Sequence, residues 1–288
     1  MRPRFPPFCA LVAAWFLCVL AVSAQGAPQP SPSDPPREEN YTRGRIVDWE
    51  LVSLPTRPEA QQNLLVGRPQ GEAKGAVLLF PGGNGANSFR RQGERTRLGN
   101  NFLVRSAPLF LREGFAAAIV DAPSDHASGM GDNFRTSGDH LTDIRAAVDH
   151  LAQEGFWDIF LIGTSRGTLS VAYLATRLTH PQVKGFVLTA GMDSIHSLPM
   201  EEAEAPVLVV HHANDGCKQT TYSGAQAIHT RLAKSARKHF ISVMGGDTPI
   251  SEPCEALSPH GFLGKEAEVV GAIAKWLRGE AAPAQAGP

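Results

Sequence analysis

The stretch IFLIGTSRG, residues 159–167, decides the fold. It joins a short apolar run to the pattern Gly-x-Ser-x-Gly, which is centred on Ser165. A serine at the tip of a sharp strand-to-helix turn needs small neighbours two residues away on each side, because the strand and the helix crowd that turn. Gly163 and Gly167 supply those neighbours. The stretch therefore predicts a strand that ends at a nucleophilic Ser165.

The residues after this pattern have the period of a helix. Leu169, Ala172, Tyr173 and Thr176 recur at steps of three and four residues, which is typical of a helix with one face on a sheet. A strand before the Gly-x-Ser-x-Gly pattern and a helix after it favour the interpretation of Ser165 as a nucleophile. A glycine-rich turn whose serine caps the next helix would have the same letters, so the partners of Ser165 decide between the two interpretations.

Apolar runs and helical patterns alternate along the chain, which predicts a mostly parallel sheet with helices on both faces. The predicted strands lie at 46–54, 64–66, 76–80, 116–120, 159–162, 186–189, 206–211 and 239–243. The predicted helices lie at 102–112, with a break at Pro108, and at 141–151, 225–236 and 269–277. We expect one α/β domain at residues 44–279.

The two ends of the chain differ in composition from this central part. Residues 1–24 combine basic Arg2 and Arg4 with an apolar run at 8–22 and small residues at the end, which predicts a secretory signal peptide. The apolar run is short for a membrane span of about 20 residues, although an uncleaved anchor is the alternative. A leader at 25–43 and a small-residue tail at 280–288 are expected to be disordered.

The net charge limits the classes of binding partner, and the cysteine content bears on the cellular compartment. The chain has 27 Lys and Arg and 28 Asp and Glu, so loss of Arg2 and Arg4 with the signal leaves 25 against 28, a formal charge of −3. This balance argues against nucleic-acid binding by bulk electrostatics. Cys217 and Cys254 remain after export, and an even pair in an exported chain favours a disulfide. The cysteine and histidine spacing indicates no metal.

An acyl-transfer serine needs a base to take its proton and a carboxylate to orient that base. Asp215 follows the predicted strand 206–211, and His260 lies in the loop between the last strand and the closing helix. We assign His260 as the base and Asp215 as the acid. Asp193, just after the strand at 186–189, is the alternative acid.

Four further histidines lie near these loops. His211 and His212 are expected to orient the loop that carries Asp215, here called the acid loop, or to line the cleft around Ser165. His126 and His140 are assigned no chemistry.

At these residues the chain resembles the α/β-hydrolase superfamily, whose Ser, Asp and His follow in that order on those loops. The resemblance covers residues 75–278 and includes the turn PGGNG at 81–85. Asp121 opens a segment that is similar to the Asp-x-Pro-Gly turn of many members, with Ser124 in place of the glycine. The resemblance implies an α/β-hydrolase fold.

The same resemblance implies an oxyanion hole. One donor would be the backbone N–H of Arg166, after the nucleophile, and the second would be Gly83 or Asn84. The choice stays open because Pro-Gly-Gly stands here where many esterases have His-Gly-Gly. The glycines also suit a tight turn with no role in catalysis.

These residues predict an exported serine hydrolase that cleaves a carboxylic ester or thioester without a cofactor or a metal. Its partner would be a small-molecule or polymeric ester, with no nucleic acid and no membrane after signal cleavage. The interval 191–206, where many superfamily members insert a lid, is too short for one. A peptidase or amidase on the same triad is one alternative, and a non-catalytic binding module is the other.

Overall fold

The computed structural model describes Met1 and residues 45–47, 49–87, 89, 91–92, 95–97 and 99–287. The strands are β1 (Arg45–Val47), β2 (Glu50–Arg57), β3 (Ala60–Gly67), β4 (Ala76–Phe80), β5 (Arg91–Gln92), β6 (Arg95–Arg97), β7 (Ala116–Val120), β8 (Ile159–Thr164), β9 (Val183–Thr189), β10 (Val207–His212), β11 (Lys238–Val243) and β12 (Gln285–Ala286). The helices are α1 (Phe102–Arg112), α2 (Asp132–Arg135), α3 (Gly138–Gln153), α4 (Gly167–Ala175), α5 (Tyr222–Arg231) and α6 (Glu266–Leu277). Short 3-10 helices lie at Ser124–His126, Asp193–Ser197, Met200–Glu202 and Pro259–Gly261.

A large, mostly parallel sheet organises the described residues. Nine of the described strands pair in the order β12-β11-β10-β9-β8-β4-β7-β3-β2. Neighbours from β12 to β7 are parallel, whereas β3 and β2 are antiparallel to their neighbours. Strands β1, β6 and β5 form a separate small antiparallel sheet. Because parallel strands end at one edge of the sheet, the loops after β4, β8, β10 and β11 all emerge at that edge.

Two apolar cores hold helices on the two faces of the sheet. One core joins α1 and α6 to the sheet, and the other joins α3, α4 and α5. Strand β4 is buried along its whole length and contributes Val77 and Leu79 to the first core and Leu78 and Phe80 to the second. Such uniformly apolar strands are typical of a sheet that is covered on both faces. The predicted fold class is confirmed.

Helix α1 differs from its prediction, because it continues through Pro108 without a break. A proline inside a helix costs roughly 3 kcal/mol, since it removes one hydrogen bond and crowds the preceding turn. The helix buries Leu103, Val104, Leu109 and Phe110 against the sheet. Each such side chain contributes about 1.5 to 3 kcal/mol, so burial outweighs the cost of the proline.

Helix α5 lies about four residues earlier than predicted. It begins at Tyr222 because the Thr221 hydroxyl accepts a hydrogen bond from the Gly224 N–H and caps the first turn. It ends at Arg231, and Leu232 leaves the helical region.

The C-terminal tail also differs from its prediction, because part of it is ordered as β12. The N–H groups of Ser242 and Met244 donate to the carbonyls of Ala284 and Ala286, at 3.0 Å each. These backbone bonds depend little on side-chain type, which explains why composition suggested disorder. The segment covers the outer edge of β11.

All of the predicted signal peptide except Met1, and the whole of the predicted leader at 25–43, lie outside the described residues. None of the helices in the described part of the chain is long and apolar enough to span a bilayer.

Candidate active site

Ser165 lies at the turn between β8 and α4 and has a positive φ of 50°. Its backbone N–H donates to the Thr189 carbonyl at 3.1 Å, which holds the turn against β9. A Cβ atom on Gly163 would lie 2.6 Å from the Gly167 carbonyl oxygen, and one on Gly167 would lie 2.1 Å from the Phe80 carbonyl oxygen. The glycines are therefore required by close packing around a strained serine, as the sequence predicted.

Asp215 and His260 are brought together by the loops after β10 and β11. His260 Nδ1 lies 2.9 Å from Asp215 Oδ2. The Asp215 side chain is fully buried and the His260 side chain is 5% exposed. Because an ionised carboxylate only accepts hydrogen bonds, Nδ1 carries the proton, and Nε2 keeps a lone pair that can accept one.

Further donors surround the Asp215 carboxylate. The Cys217 N–H donates to Oδ1 at 2.9 Å, and the Thr220 hydroxyl donates to Oδ2 at 3.0 Å. Burial alone would raise the pKa of the Asp215 carboxyl, but the hydrogen bonds from His211 and His260 outweigh it and hold that pKa well below its usual range. Asp215 is therefore ionised at neutral pH.

Thr220 was not predicted from the sequence. Its hydroxyl also lies 3.1 Å from His260 Nδ1, so it contacts both the acid and the imidazole. No sequence pattern marks a threonine five residues after an acidic residue as a contact of both that residue and a distant histidine.

His211 and His212 brace the acid loop. His211 Nε2 donates to the Thr220 carbonyl at 2.9 Å and lies 3.3 Å from Asp215 Oδ2. His212 Nε2 donates to the Gly245 carbonyl, and its Nδ1 accepts from the Asn214 N–H. The first imidazole orients the carboxylate, and the second ties the acid loop to the segment after β11.

The alternative acid, Asp193, has different partners. Its carboxylate accepts from the Thr221 N–H and the Thr221 hydroxyl, both at 2.9 Å, beside the first turn of α5. The described contacts of His260 Nδ1 are with Asp215 and Thr220. The structure therefore brings Asp215 to the imidazole, and Asp193 supports the start of α5.

Ser165 and His260 line the same cleft, which has a volume of about 270 Å³. Its other lining residues are Gly82, Gly83, Asn101, Phe102, Thr164, Cys254, Glu255, Ala256 and Gly261. The Ser165 hydroxyl makes no hydrogen bond within the residues that the structure describes. Contacts between a nucleophile and its base are often longer without substrate and tighten in the substrate complex.

The turn after β4 lies against the serine. A Cβ atom on Gly82 would lie 2.9 Å from the Ser165 Cβ, and Gly83 has a φ of 62°. The Asn84 side chain donates to the Ser128 carbonyl at 3.1 Å, so it holds the next loop. Arg166 lies at the N-terminus of α4, where the first backbone N–H groups have no partner within the helix. Its guanidinium pairs with Asp132 at 2.7 Å.

A disulfide joins Cys217 to Cys254, with the two Cα atoms 4.5 Å apart. Cys217 lies two residues after Asp215, and Cys254 lines the cleft six residues before His260. The bond therefore ties the acid loop to the loop that carries the imidazole.

His126 and His140, the two histidines that were assigned no chemistry from the sequence, are not among the residues that line the cleft. His140 is fully buried between Phe80 and Phe134, and the structure gives it no chemistry in the cleft. His126 stacks on Phe134 at 3.9 Å between ring centroids. In the described part of the chain, no group of three or more His, Cys, Asp or Glu side chains is arranged to hold a metal ion.

No protein-family model matches the chain, and no curated protein matches its sequence. Solved structures are similar to it. An esterase from Pyrococcus furiosus is 11% identical with a TM-score of 0.58, over 88% of this chain and 99% of that one. An α/β serine hydrolase without a lid from Xanthomonas campestris is 16% identical with a TM-score of 0.55, over 83% and 98%.

An acylaminoacyl peptidase, solved with Z-Gly-Gly-Phe-chloromethyl ketone, is 11% identical with a TM-score of 0.56 over 79% of this chain. The match covers 41% of that peptidase, so this chain spans about two fifths of its length. At such identities the likeness establishes the fold. The resemblance to α/β-hydrolases that was stated from the sequence is confirmed at that level.

Proposed function

From the α/β-hydrolase fold and the geometry of its cleft, we propose that the protein is a serine hydrolase that cleaves a carboxylic ester or thioester. Ser165 is the nucleophile, His260 the base and Asp215 the acid. The observation that carries the proposal is the 2.9 Å contact between His260 Nδ1 and Asp215, in a cleft that His260 shares with a strained Ser165. The esterase and serine hydrolase among the similar structures also support it.

In the first half-reaction, Ser165 Oγ bonds to the carbonyl carbon while its proton moves to His260 Nε2. The carbonyl electron pair moves to oxygen, and the negative oxygen accepts hydrogen bonds from the Arg166 N–H and from Gly83 or Asn84. Asp215 holds the imidazole in the right tautomer and stabilises its positive form. The carbon–oxygen or carbon–sulfur bond then breaks, and the Nε2 proton goes to the leaving alcohol or thiol.

In the second half-reaction, water attacks the acyl carbon and gives its proton to His260 Nε2. The tetrahedral intermediate collapses, the bond to Ser165 Oγ breaks, and the proton returns to Oγ. The products are a carboxylic acid and the free enzyme.

The test uses Ser165→Ala with Ser197→Ala as a matched control. Ser197 is an exposed serine whose hydroxyl bonds the Ser194 carbonyl. We expect a fluorophosphonate to label the wild type and S197A but not S165A, and S165A to lose essentially all p-nitrophenyl acetate hydrolysis, since a triad acts as a unit. Hydrolysis by S165A above the background of heat-killed protein would contradict the proposal.

A peptidase or amidase on the same triad is the second candidate, favoured by the similarity to the acylaminoacyl peptidase. The discriminating substrates are the p-nitrophenyl ester and the p-nitroanilide of one acylated amino acid, because they differ only in the bond that breaks. Faster turnover of the anilide would favour the amidase. A non-catalytic module would instead fail to take the fluorophosphonate label at all.

We also propose that the protein is exported, to a periplasm or to the medium, through the predicted signal peptide at 1–24. The disulfide supports this proposal, because disulfides persist in oxidising compartments. The mass of the protein recovered outside the cytoplasm of an expressing bacterium tests it. A mature chain that starts near Gln25 is the expected result, and retention of the full chain in the membrane fraction would indicate the anchor.

A further inference from the structure

Arg135 is a charged side chain buried behind the turn at 81–85. It ends α2 and is fully buried. Its Nη2 donates to the Gly83 carbonyl at 3.2 Å, and its Nη1 donates to the Ser170 hydroxyl at 3.3 Å. Its Nε has no hydrogen-bond partner among the described residues.

Among the described residues, no partner of opposite sign contacts the charge of Arg135. Asp132, three residues earlier, pairs with Arg166 instead, and no carboxylate of the described residues forms an ion pair with Arg135. Burial lowers the pKa of Arg135 to about 10, with the charge of Arg166 acting in the same direction and Asp132 opposing it, so the guanidinium is protonated at neutral pH. An unpaired buried charge destabilises a fold. A role other than stability is needed to explain it.

The position of the guanidinium under the turn is specific. A Cβ atom on residue 85 would lie 2.6 Å from Arg135 Nη2, so Gly85 alone leaves room for the side chain to reach the Gly83 carbonyl. The Gly83 carbonyl points at Arg135. The N–H groups of Gly83 and Asn84 have no hydrogen-bond partner within the described residues, and Gly83 lines the cleft with Ser165.

We propose that Arg135 is a positioning residue for the oxyanion hole. Its guanidinium holds the Gly83 carbonyl and so fixes the turn at 81–85 that supplies the second oxyanion donor, and its positive charge stabilises the negative oxygen that develops beside Ser165. The inference rests on the proposed hydrolase function.

The effect has two physical parts. The hydrogen bond to the Gly83 carbonyl fixes the peptide groups of the turn, so their free N–H groups are already oriented when the negative charge develops. A fixed charge in a water-poor site also acts more strongly on a developing charge than it would in bulk water. Both parts act on the tetrahedral intermediate far more than on the neutral substrate, so they change kcat more than KM.

The test is Arg135→Met, measured for ester hydrolysis, for inhibition by a trifluoromethyl ketone, and for thermal unfolding. The ketone adds to a serine as an anionic tetrahedral adduct. We expect kcat to fall by about 10- to 100-fold, somewhat less than for loss of a whole donor, with KM within about twofold. The inhibition constant should rise by the factor lost in kcat/KM. The midpoint of unfolding should stay the same or rise, because a buried unpaired charge has been removed.

Arg278→Met is the matched control. Arg278 is partly buried but bonds the carboxylates of Glu113 and Glu280, away from the cleft. We expect the opposite pattern, with a lower unfolding midpoint and an unchanged kcat.

An unchanged kcat in R135M, or a fall in kcat with an unchanged inhibition constant, would overturn the role of Arg135. If R135M does not fold, Arg135→Lys decides, because lysine keeps the charge but not the two-armed donor. A fall in kcat that is smaller than the one expected for R135M, with a matching rise in the inhibition constant, supports the proposal. Wild-type values of both kcat and the inhibition constant overturn it. Absence of ester hydrolysis and of Ser165 labelling in the wild type would instead reject the proposed function.

Discussion

His140 is a histidine that folding keeps neutral. Its side chain is fully buried, and neither ring nitrogen has a hydrogen-bond partner among the described residues. Burial, with the charges of Arg135 and Arg57, lowers the pKa of His140 to about 3. In the unfolded chain the same group titrates near its ordinary value of about 6.5. Between these two values the unfolded state therefore binds one proton more than the folded state.

His140→Phe tests this difference. Because the unfolded state takes up the extra proton, the free energy of unfolding of the wild type falls as the pH drops from about 6.5 towards 3, by up to about 1.4 kcal/mol per pH unit. The variant lacks this proton, and its aromatic ring suits the apolar site. We expect its advantage over the wild type to grow by about 2 to 3 kcal/mol between pH 6.5 and 4.5, measured by urea unfolding.

The control for this measurement is His150→Gln, since His150 is partly exposed beside Glu154. We expect H150Q to keep the loss of stability below pH 6.5, because His140 is still present. A parallel pH dependence of H140F and the wild type would mean that His140 is not the group that titrates.

At the scale of single residues, the sequence predicted those members of the proposed site whose type and spacing match a known catalytic pattern. Ser165 is marked by its two glycines, and Asp215 and His260 by their positions after predicted strands. Thr220 and Arg135 could not be found in that way. An arginine is ordinarily exposed, and only the folded chain reveals that this one is buried against the turn at 81–85.

The loops after β10 and β11 are the elements on which the proposed site depends. Replacing both Cys217 and Cys254 with serine should lower the free energy of unfolding by up to about 4 kcal/mol, from the entropy of closing a loop between residues 37 positions apart. We also expect kcat to fall, since Asp215 and the cleft wall lose their covalent link. Urea unfolding and steady-state kinetics below the transition measure both.

Dithiothreitol provides the control for the disulfide. It should reproduce these effects in the wild type and have none in the double variant. A kcat unchanged by either treatment would mean that hydrogen bonds alone hold the two loops in register.

The bounds of a strand or helix could be predicted from the sequence where one physical effect determines them. The bounds of β4 and β7 were predicted to the residue, because a strand buried on both faces is apolar throughout. Two errors have local causes: burial carries α1 through Pro108, and the Thr221 cap starts α5 early. The ordering of β12 depends on backbone bonds to β11, which no side-chain pattern reports.

The molecule as a whole presents a small, open cleft. Its volume of about 270 Å³ is at the low end for small-molecule sites, and Phe102 and Ala256 form part of its wall. We expect kcat/KM to be higher for p-nitrophenyl acetate and butyrate than for the octanoate, since a long chain finds little surface to bury. Phe102→Leu should shift the preference towards longer chains. A kcat/KM that rises steadily to the octanoate would contradict this prediction.

The shared direction of the parallel strands determines how the protein can be mounted on a solid support. Exposed Lys74, Lys184 and Lys238 lie near the amino ends of β4, β9 and β11, at the edge of the sheet opposite Ser165 and His260. Coupling to an aldehyde resin through these amines would leave the cleft turned towards the solution. Lys218, exposed beside the disulfide, and Lys265, partly exposed five residues after His260, would have to be changed to arginine so that no linkage forms on the side of the cleft.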